Sequence, residues 1–208
     1  MNPLSRPSFE QAPQTTQATK TMTTSAPPAT TTLTTGVVRG SYCNLFTPRA
    51  PDPKKPDEPP KFGMTLLIPK EDTLTLNKIE AAKQLAIEQK WGTKRPAKID
   101  FTLHDGDGVR PQSGEPFGDE CKGHMVIAVQ TKFRLKILDV NRNEIIDPNA
   151  VGSGDYFKAQ ISLYAYDSNG RKGVSAGLQN VLFVSKGDSL GGRQDAESAF
   201  ADDFVKVD

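Results

Sequence analysis

Gly154-Asp-Tyr-Phe-Lys-Ala-Gln-Ile-Ser-Leu-Tyr-Ala-Tyr-Asp-Ser-Asn-Gly-Arg-Lys-Gly-Val-Ser-Ala-Gly-Leu178 decides how the rest of the chain reads. From Asp155 to Tyr166 it alternates almost strictly, and side chains on an extended strand change faces at every residue. Phe157, Ala159, Ile161, Leu163 and Ala165 share one face; Tyr156, Lys158, Gln160, Ser162, Tyr164 and Tyr166 share the other. Asn169-Gly170 suits a two-residue hairpin turn, whose central positions need positive φ. That turn pairs Ala165 with Val174, Leu163 with Ala176 and Ile161 with Leu178, so the apolar face continues across both strands. On the polar face Tyr166 meets Gly173 and Tyr164 meets Ser175, neighbours too small to cover a ring. Rings left open beside Lys158, Arg171 and Lys172 suit base stacking with cations on the phosphates. The other reading is that tyrosines simply tolerate a half-exposed sheet face.

Upstream, Thr131 to Leu138 also alternates. Phe133, Leu135 and Ile137 are expected inward, with Lys132, Arg134 and Lys136 as a row of cations spaced about 7 Å apart, near the spacing of backbone phosphates. Lysines guarding an edge strand would look the same. Met125 to Val129 is apolar on both faces, as a central strand is. Phe62, Met64, Leu66 and Ile68 form another alternating strand closed by Pro69. Gly36 to Phe46 reads as the first strand, and Thr47 to Lys61, with six prolines, as an exposed loop. One helix is expected between these strands. Leu76, Ile79, Ala86, Ile87 and Trp91 share a stripe, Asn77 with Glu80 can form a capping box, and Asp72 or Thr75 can cap instead. Trp91 reads as a core anchor. Ile99 to Leu103 is a short strand entering a polar loop that runs to Gly123, and Val181, Phe183 and Val184 finish the sheet. Many short strands, one helix and Gly/Pro turns imply a mainly β fold: a small β-barrel or strongly curved sheet with one packed α-helix.

The 208 residues allow one domain with tails. Eleven of the twenty-one residues from Thr15 to Thr35 are threonine, so residues 1–35 are expected to be a disordered tail. Residues 36–190 form the domain and residues 191–208 a flexible acidic tail. Charge is nearly balanced, 26 basic against 25 acidic residues. The last fourteen residues nonetheless carry Asp195, Glu197, Asp202, Asp203 and Asp208 against Lys206 alone, leaving a mildly basic body. Two cysteines make no disulfide framework, and no run is apolar enough for a leader or a membrane span, so a reduced, soluble, cytosolic protein is expected.

Little of this suits an enzyme. Cys121-Lys-Gly-His124 has zinc-ligand spacing and His104 or Cys43 could join it, but paired C-x-x-C halves are missing. Asp105, Asp107, Asp119 and Glu120 could serve a metal-dependent nuclease, yet all sit in one loop and read better as turn residues. No cofactor or metal is expected.

Several motifs together resemble one family. They are Ile68-Pro69-Lys70 before a helix ending at Lys90-Trp91-Gly92, the Asp105-Gly-Asp107 loop, Ser153-Gly154, Tyr164-Ala-Tyr-Asp167, and Lys172-Gly-Val-Ser-Ala-Gly-Leu178. Gly191-Gly-Arg193 and the acidic end with phenylalanines complete the set. From Gly36 to Phe204 the chain resembles the single-stranded DNA-binding proteins of tailed bacteriophages, which have an OB fold. The resemblance implies an OB-fold-like barrel that coats and protects single-stranded DNA during phage replication and recombination, in the cytoplasm of the infected host. It also implies an acidic-aromatic tail, here Phe200, Asp202, Asp203 and Phe204, that recruits polymerase and helicase/primase and competes with DNA for the basic groove. Two departures stand out. A simple OB barrel carries its helix after the third strand, whereas here it follows the second, and the terminal residue is Asp208 rather than an aromatic. A recombination annealing protein would share the groove and differ in forming rings or filaments.

Overall fold

The computed structural model describes residues 30–190 except 52, 54, 55 and 169. In chain order it contains β1 (Thr32–Thr34), β2 (Val38–Arg49), β3 (Lys61–Pro69), α1 (Thr73–Trp91), β4 (Asp100–Phe101) and β5 (Leu103–Asp105). A 3-10 turn (Asp119–Cys121), β6 (His124–Thr131), β7 (Ile137–Leu138), β8 (Tyr156–Ser168) and β9 (Arg171–Ser185) follow. The architecture is mainly β with one helix.

The β8–β9 hairpin has the register that the turn and the alternation demand. Ala165 opposes Val174, Leu163 opposes Ala176 and Ile161 opposes Leu178, while Tyr166 opposes Gly173 and Tyr164 opposes Ser175. Gly170 takes φ 75°, as such a turn requires; Asn169 lies outside the described residues. Phe157, Ala159, Ile161 and Leu163 are buried with Val174, Ala176 and Leu178, so the apolar face is the core face.

Each long strand then finds partners on both edges. β9 takes β8 on one edge and β4, β6 and β7 in parallel succession on the other. β6 pairs with β3 along its full length, β3 pairs with β2, and β2 returns to β8 through Val38–Phe157 and Arg39–Tyr156. Pairing therefore runs β2-β3-β6-β9-β8 and back to β2. A strand whose backbone groups are all taken offers no open edge to another chain. Leu66, Ile68, Ile127 and Val129 fill the interior from the middle strands. At one end β3 and β6 are buried on both faces, because Leu67 and Val126 form a second small cluster with Cys121, Phe117 and Leu190.

α1 begins at Asp72, whose carboxylate accepts the Thr75 N–H at 3.0 Å. The Asn77–Glu80 box does not form; Glu80 instead accepts hydrogen bonds from Lys83 and Gln84 one turn on. The buried stripe is Thr75, Ile79, Ala82, Ala86 and Ile87, and half-buried Trp91 packs against the core as expected.

Two expected boundaries move. Order does not wait for Gly36: Thr32–Thr34 pairs with Ser162, Ile161 and Gln160, so the last residues of the stretch expected to be disordered, 1–35, are structured; residues 1–29 lie outside the described residues. Leu33 is 9% exposed, and Thr35 Oγ1 accepts the Ala159 N–H at 3.0 Å. A single leucine and a register continuous with β2 outweigh the poor composition of the threonine tract. Thr131 to Leu138 is not one strand either. β6 stops at Thr131 and the chain bends, leaving Phe133 68% exposed while Leu135 and Ile137 stay buried. Lys132, Arg134 and Lys136 consequently lack the regular spacing of a strand.

Candidate nucleic-acid interface

A cleft of about 800 Å³ opens on the outer face of the sheet, lined from β2, β3, β6 and β9 and from the proline-rich 50–60 loop. Pairing register explains its floor. Tyr164 opposes Ser175, β6 runs beside β9 so that Ala128 neighbours Ser175, Ala128 opposes Thr65, and Thr65 opposes Ser41. Gly63, paired with Gln130, lies one step further along. The floor is thus Ser, Ala, Thr and Gly, side chains too short to fill the space above them. At Gly63 the fit is tight, since a Cβ there would stand 2.5 Å from the Val129 carbonyl oxygen.

Aromatic rings stand at both sides of this row. Tyr164 is 52% exposed beside Ser175. Across the cleft Tyr42 is 60% exposed and adopts φ 49°, an uncommon conformation for a residue with a side chain. It sits where the β2–β3 register slips between Ser41 and Asn44. Asn44 donates to the Tyr42 carbonyl at 2.9 Å, and the Cys43 N–H is taken by Ser153 Oγ at 3.0 Å. The bulge turns Cys43 toward the core and the Tyr42 ring outward. Arg49, Lys61, Gln112 and Gln130 complete the lining. Lys61 is paired with Glu58 at 2.7 Å, whereas Arg49 forms no ion pair among the described residues.

Gln112 arrives on the 106–118 loop, which is tied down at its root. Lys70 lies between Asp105 and Asp107, 2.6 Å from each. Asp107 also accepts the Gly123 N–H, and Asp105 accepts the Asp107 N–H. The lysine beside them holds both carboxyls below the ordinary aspartate range, and the two carboxylates raise the lysine. Gly106 is needed here because a Cβ would meet the Cys121 carbonyl at 2.1 Å. Ile68-Pro69-Lys70 and Asp105-Gly-Asp107, far apart in sequence, are two halves of one clamp.

The remaining expected site residues divide. Tyr166 is half-buried, its hydroxyl end lying across Gly173, where a Cβ would stand 2.6 Å from it. Arg171 and Lys172 are exposed at the hairpin tip, Lys172 pairing with Asp167 at 3.2 Å. Tyr156 and Lys158 are not gathered with them. They are at the opposite end of β8, roughly 26 and 20 Å of strand from Tyr164, with the Tyr156 ring against Gly187. Lys132 lies over the exposed Phe133 ring, Arg134 is exposed, and Lys136 pairs with Glu144 at 3.4 Å. Phe200, Asp202, Asp203 and Phe204 lie outside the described residues.

Of the metal candidates, Cys121 sits in the small apolar cluster, where burial pushes its thiol up to about 11; burial pushes Cys43 up to about 12. His104 stacks on Phe117 and its pKa is lowered by burial, while His124 Nδ1 is 2.7 Å from the Lys122 carbonyl. Among the described residues no three such side chains gather into a metal-binding group. Among the described residues no helix is long and apolar enough to cross a membrane.

Sequence reasoning missed Tyr42, Arg49, Thr65, Gln112 and Gln130. The one available signal was Tyr42 itself, a ring interrupting the polar face of the first strand. Its outward turn depends on a bulge, which leaves no pattern in sequence.

A family described as Enterobacter phage Enc34, ssDNA-binding protein, matches residues 31–208. Putative protein p50 of Acyrthosiphon pisum secondary endosymbiont phage 1 is 32% identical over 142 residues, covering 64% of this chain and 73% of that protein. Among solved structures, the single-stranded DNA-binding protein from bacteriophage Enc34 is similar with TM-score 0.61 and 26% identity, over 82% of this chain and 90% of that one. The same protein in complex with ssDNA gives TM-score 0.66 and 23% identity, over 77% and 90%. Gp2.5, a single-stranded DNA-binding protein encoded by bacteriophage T7, gives 0.51 and 17%, over 84% and 95%. The last two likenesses speak to the fold.

Proposed function

The chain belongs to the family of the Enterobacter phage Enc34 ssDNA-binding protein, and on that premise we propose that it coats and protects single-stranded DNA, without sequence preference, during phage DNA replication and recombination. The cleft carries this reading: a floor of short side chains, the exposed Tyr42 ring in its lining, the exposed Tyr164 ring beside its Ser175 edge, and Arg49, which forms no ion pair among the described residues. Bases stack on Tyr42 and Tyr164 because every base has a π-face, and the floor leaves room for the backbone to pass. Duplex DNA is excluded because its bases are already stacked and paired. The pairing cycle β2-β3-β6-β9-β8 supports an OB-fold-like barrel with its helix after the second strand of the cycle.

The chain acts by binding rather than by catalysis. Asp105 and Asp107, the carboxylates best placed for a nuclease metal, are already engaged by the Lys70 ammonium. Phe200, Asp202, Asp203 and Phe204 form the tail that engages polymerase and helicase/primase in the host cytoplasm and competes with DNA for the groove. Tyr166, Arg171 and Lys172 extend contacts at the hairpin tip; Lys132, Arg134 and Lys136 offer a further, irregular set of cations, and Tyr156 and Lys158 are peripheral.

Fluorescence anisotropy of a labelled oligo-dT, an equal-length duplex and an RNA strand, with and without magnesium, tests the reading. Tight, salt-sensitive binding of the oligo-dT without shortening is expected. Equal affinity for the duplex, or cleavage, overturns it.

A further inference from the structure

A coated strand continues past any one cleft, and the register shows which surface lies next to this one. Two residues along β9 from Ser175, roughly 7 Å, Gly173 lies between Tyr166 on β8 and Asp100 on β4. Gly173 has no side chain to obstruct the surface. Both the Tyr166 hydroxyl and the Asp100 carbonyl come within 2.7 Å of where its Cβ would be. Gly173 itself is buried beneath these two groups, so the half-buried Tyr166 ring is what bridges from Tyr164 and Ser175 to β4.

The segment that feeds β4 is Lys90-Trp-Gly-Thr-Lys-Arg-Pro-Ala-Lys98, four cations and no carboxylate in nine residues. Lys90 has a structural use, since it closes the last turn of α1 where a cation offsets the helix dipole. Lys94, Arg95 and Lys98 come after the helix stop at Gly92 and have no such use. All three are exposed. Lys94 and Arg95 form no ion pair among the described residues, and Lys98 makes only a loose one with Asp100, at 3.8 Å. Lys61, Lys70, Lys83, Lys122 and Lys172, by contrast, are each held within 3.2 Å of a carboxylate. A basic run so loosely engaged among the described residues, beside Tyr164 and Tyr166, suits a polyanion extended along them.

We propose that Lys94, Arg95 and Lys98 form a second phosphate-binding segment that receives single-stranded DNA as it leaves the cleft across Tyr164 and Tyr166. This rests on the single-stranded DNA reading above and adds to it where the strand goes and which groups meet it. The segment carries no ring free for stacking, since Trp91 is packed on the core, so its contribution is electrostatic and blind to the base.

The test compares the full chain with its Lys94→Gln/Arg95→Gln/Lys98→Gln variant on oligo-dT of about five and about thirty nucleotides. Each phosphate contact on a single strand contributes about 0.7 to the slope of log affinity against log salt. On the long strand the variant should lose about 2 from that slope and bind at least tenfold more weakly at low salt. On the short strand, which the cleft alone can hold, the two proteins should bind alike. Equal slopes on the long strand overturn the proposal. So does an equal loss at both lengths, which would mean a general charge effect rather than a path. If the unaltered chain binds neither strand, the single-stranded DNA reading itself fails. An unchanged melting temperature of the variant keeps any loss attributable to contact.

Discussion

The two ends of β8 are built for opposite purposes. Near its start almost every polar group is spoken for. Asp155, 4% exposed, accepts the Gly152 and Gly187 N–H groups and the Lys186 ammonium. Arg39 donates to the Gly154 and Asp188 carbonyls, and Leu190 N–H reaches Ser153. Even Tyr156 is partly covered, by Gly187. Near the other end Tyr164 stands 52% exposed beside Ser175, over a floor of short side chains. One end straps the 186–190 segment to the body; the other leaves surface unfilled. Satisfied hydrogen bonds stabilise a fold, whereas open rings beside small neighbours contribute little to it, so the unfilled end is where binding is expected.

The sharpest way to break this contrast is to remove the rings. Tyr42→Ala with Tyr164→Ala should cost about 1–3 kcal/mol per stacked base, hence at least about thirtyfold in oligo-dT affinity by anisotropy. The melting temperature should barely move; unfolding instead would make the rings structural. At the strapped end the signs reverse. Gly154→Ala forces a side chain onto φ 110° and against the Asp188 carbonyl, 2.0 Å from its Cβ. A loss of about 2–3 kcal/mol in denaturant unfolding is expected, with affinity retained where the protein is folded. Tyr156→Ala separates the two ends most directly: less than about a twofold change in affinity is expected, since the ring meets no stacked base. A tenfold loss would return Tyr156 to the binding surface.

The smallest effect concerns the Lys70 clamp. Lys70→Met should make the 106–118 loop cut faster in limited proteolysis and weaken DNA binding slightly through Gln112. The pH dependence follows from both partners. Asp105 and Asp107 are depressed, so their share is present above the unfolded aspartate value near 4 and lost as pH falls through their lower folded values. Lys70 is raised, so its share is complete below about pH 10 and fades only as pH rises through its folded value. The difference in proteolysis between Lys70→Met and the unaltered chain should therefore hold at neutral pH, begin to fade below about pH 4 and vanish only once pH has fallen below the depressed folded values. A difference that persists there would assign the loop's order to something other than the clamp.

How legible the molecule was depended on the range of the interaction. The β8–β9 register could be read residue by residue, because an Asn-Gly turn and a period-two pattern are local. The helix and its stripe could be read for the same reason, although its cap moved to Asp72 because Asp72, not Asn77, meets the first free N–H groups. The bend after Thr131 could not be read. Phe133 alternates with Leu135 and Ile137 in sequence, and only the docking of β7 on β9 decides which of them the core admits. Tyr42 and the Lys70 clamp were hidden more deeply. One needs a register slip between two strands, the other a loop returning 37 residues later.

By itself the chain's alternation, turn chemistry and composition determined a mainly β fold, its one helix and its longest hairpin; the likeness to phage single-stranded DNA-binding proteins rested on its motifs. Tertiary structure decided which outward residues share a surface. It placed Tyr42 and Tyr164 at the two sides of one row, with three strands between them, and it left Tyr156 and Lys158 at the far end of β8 from Tyr164. The physical reason is that face is a local property, set every second residue by the backbone. Neighbourhood across a sheet is set by pairing among strands distant in the chain.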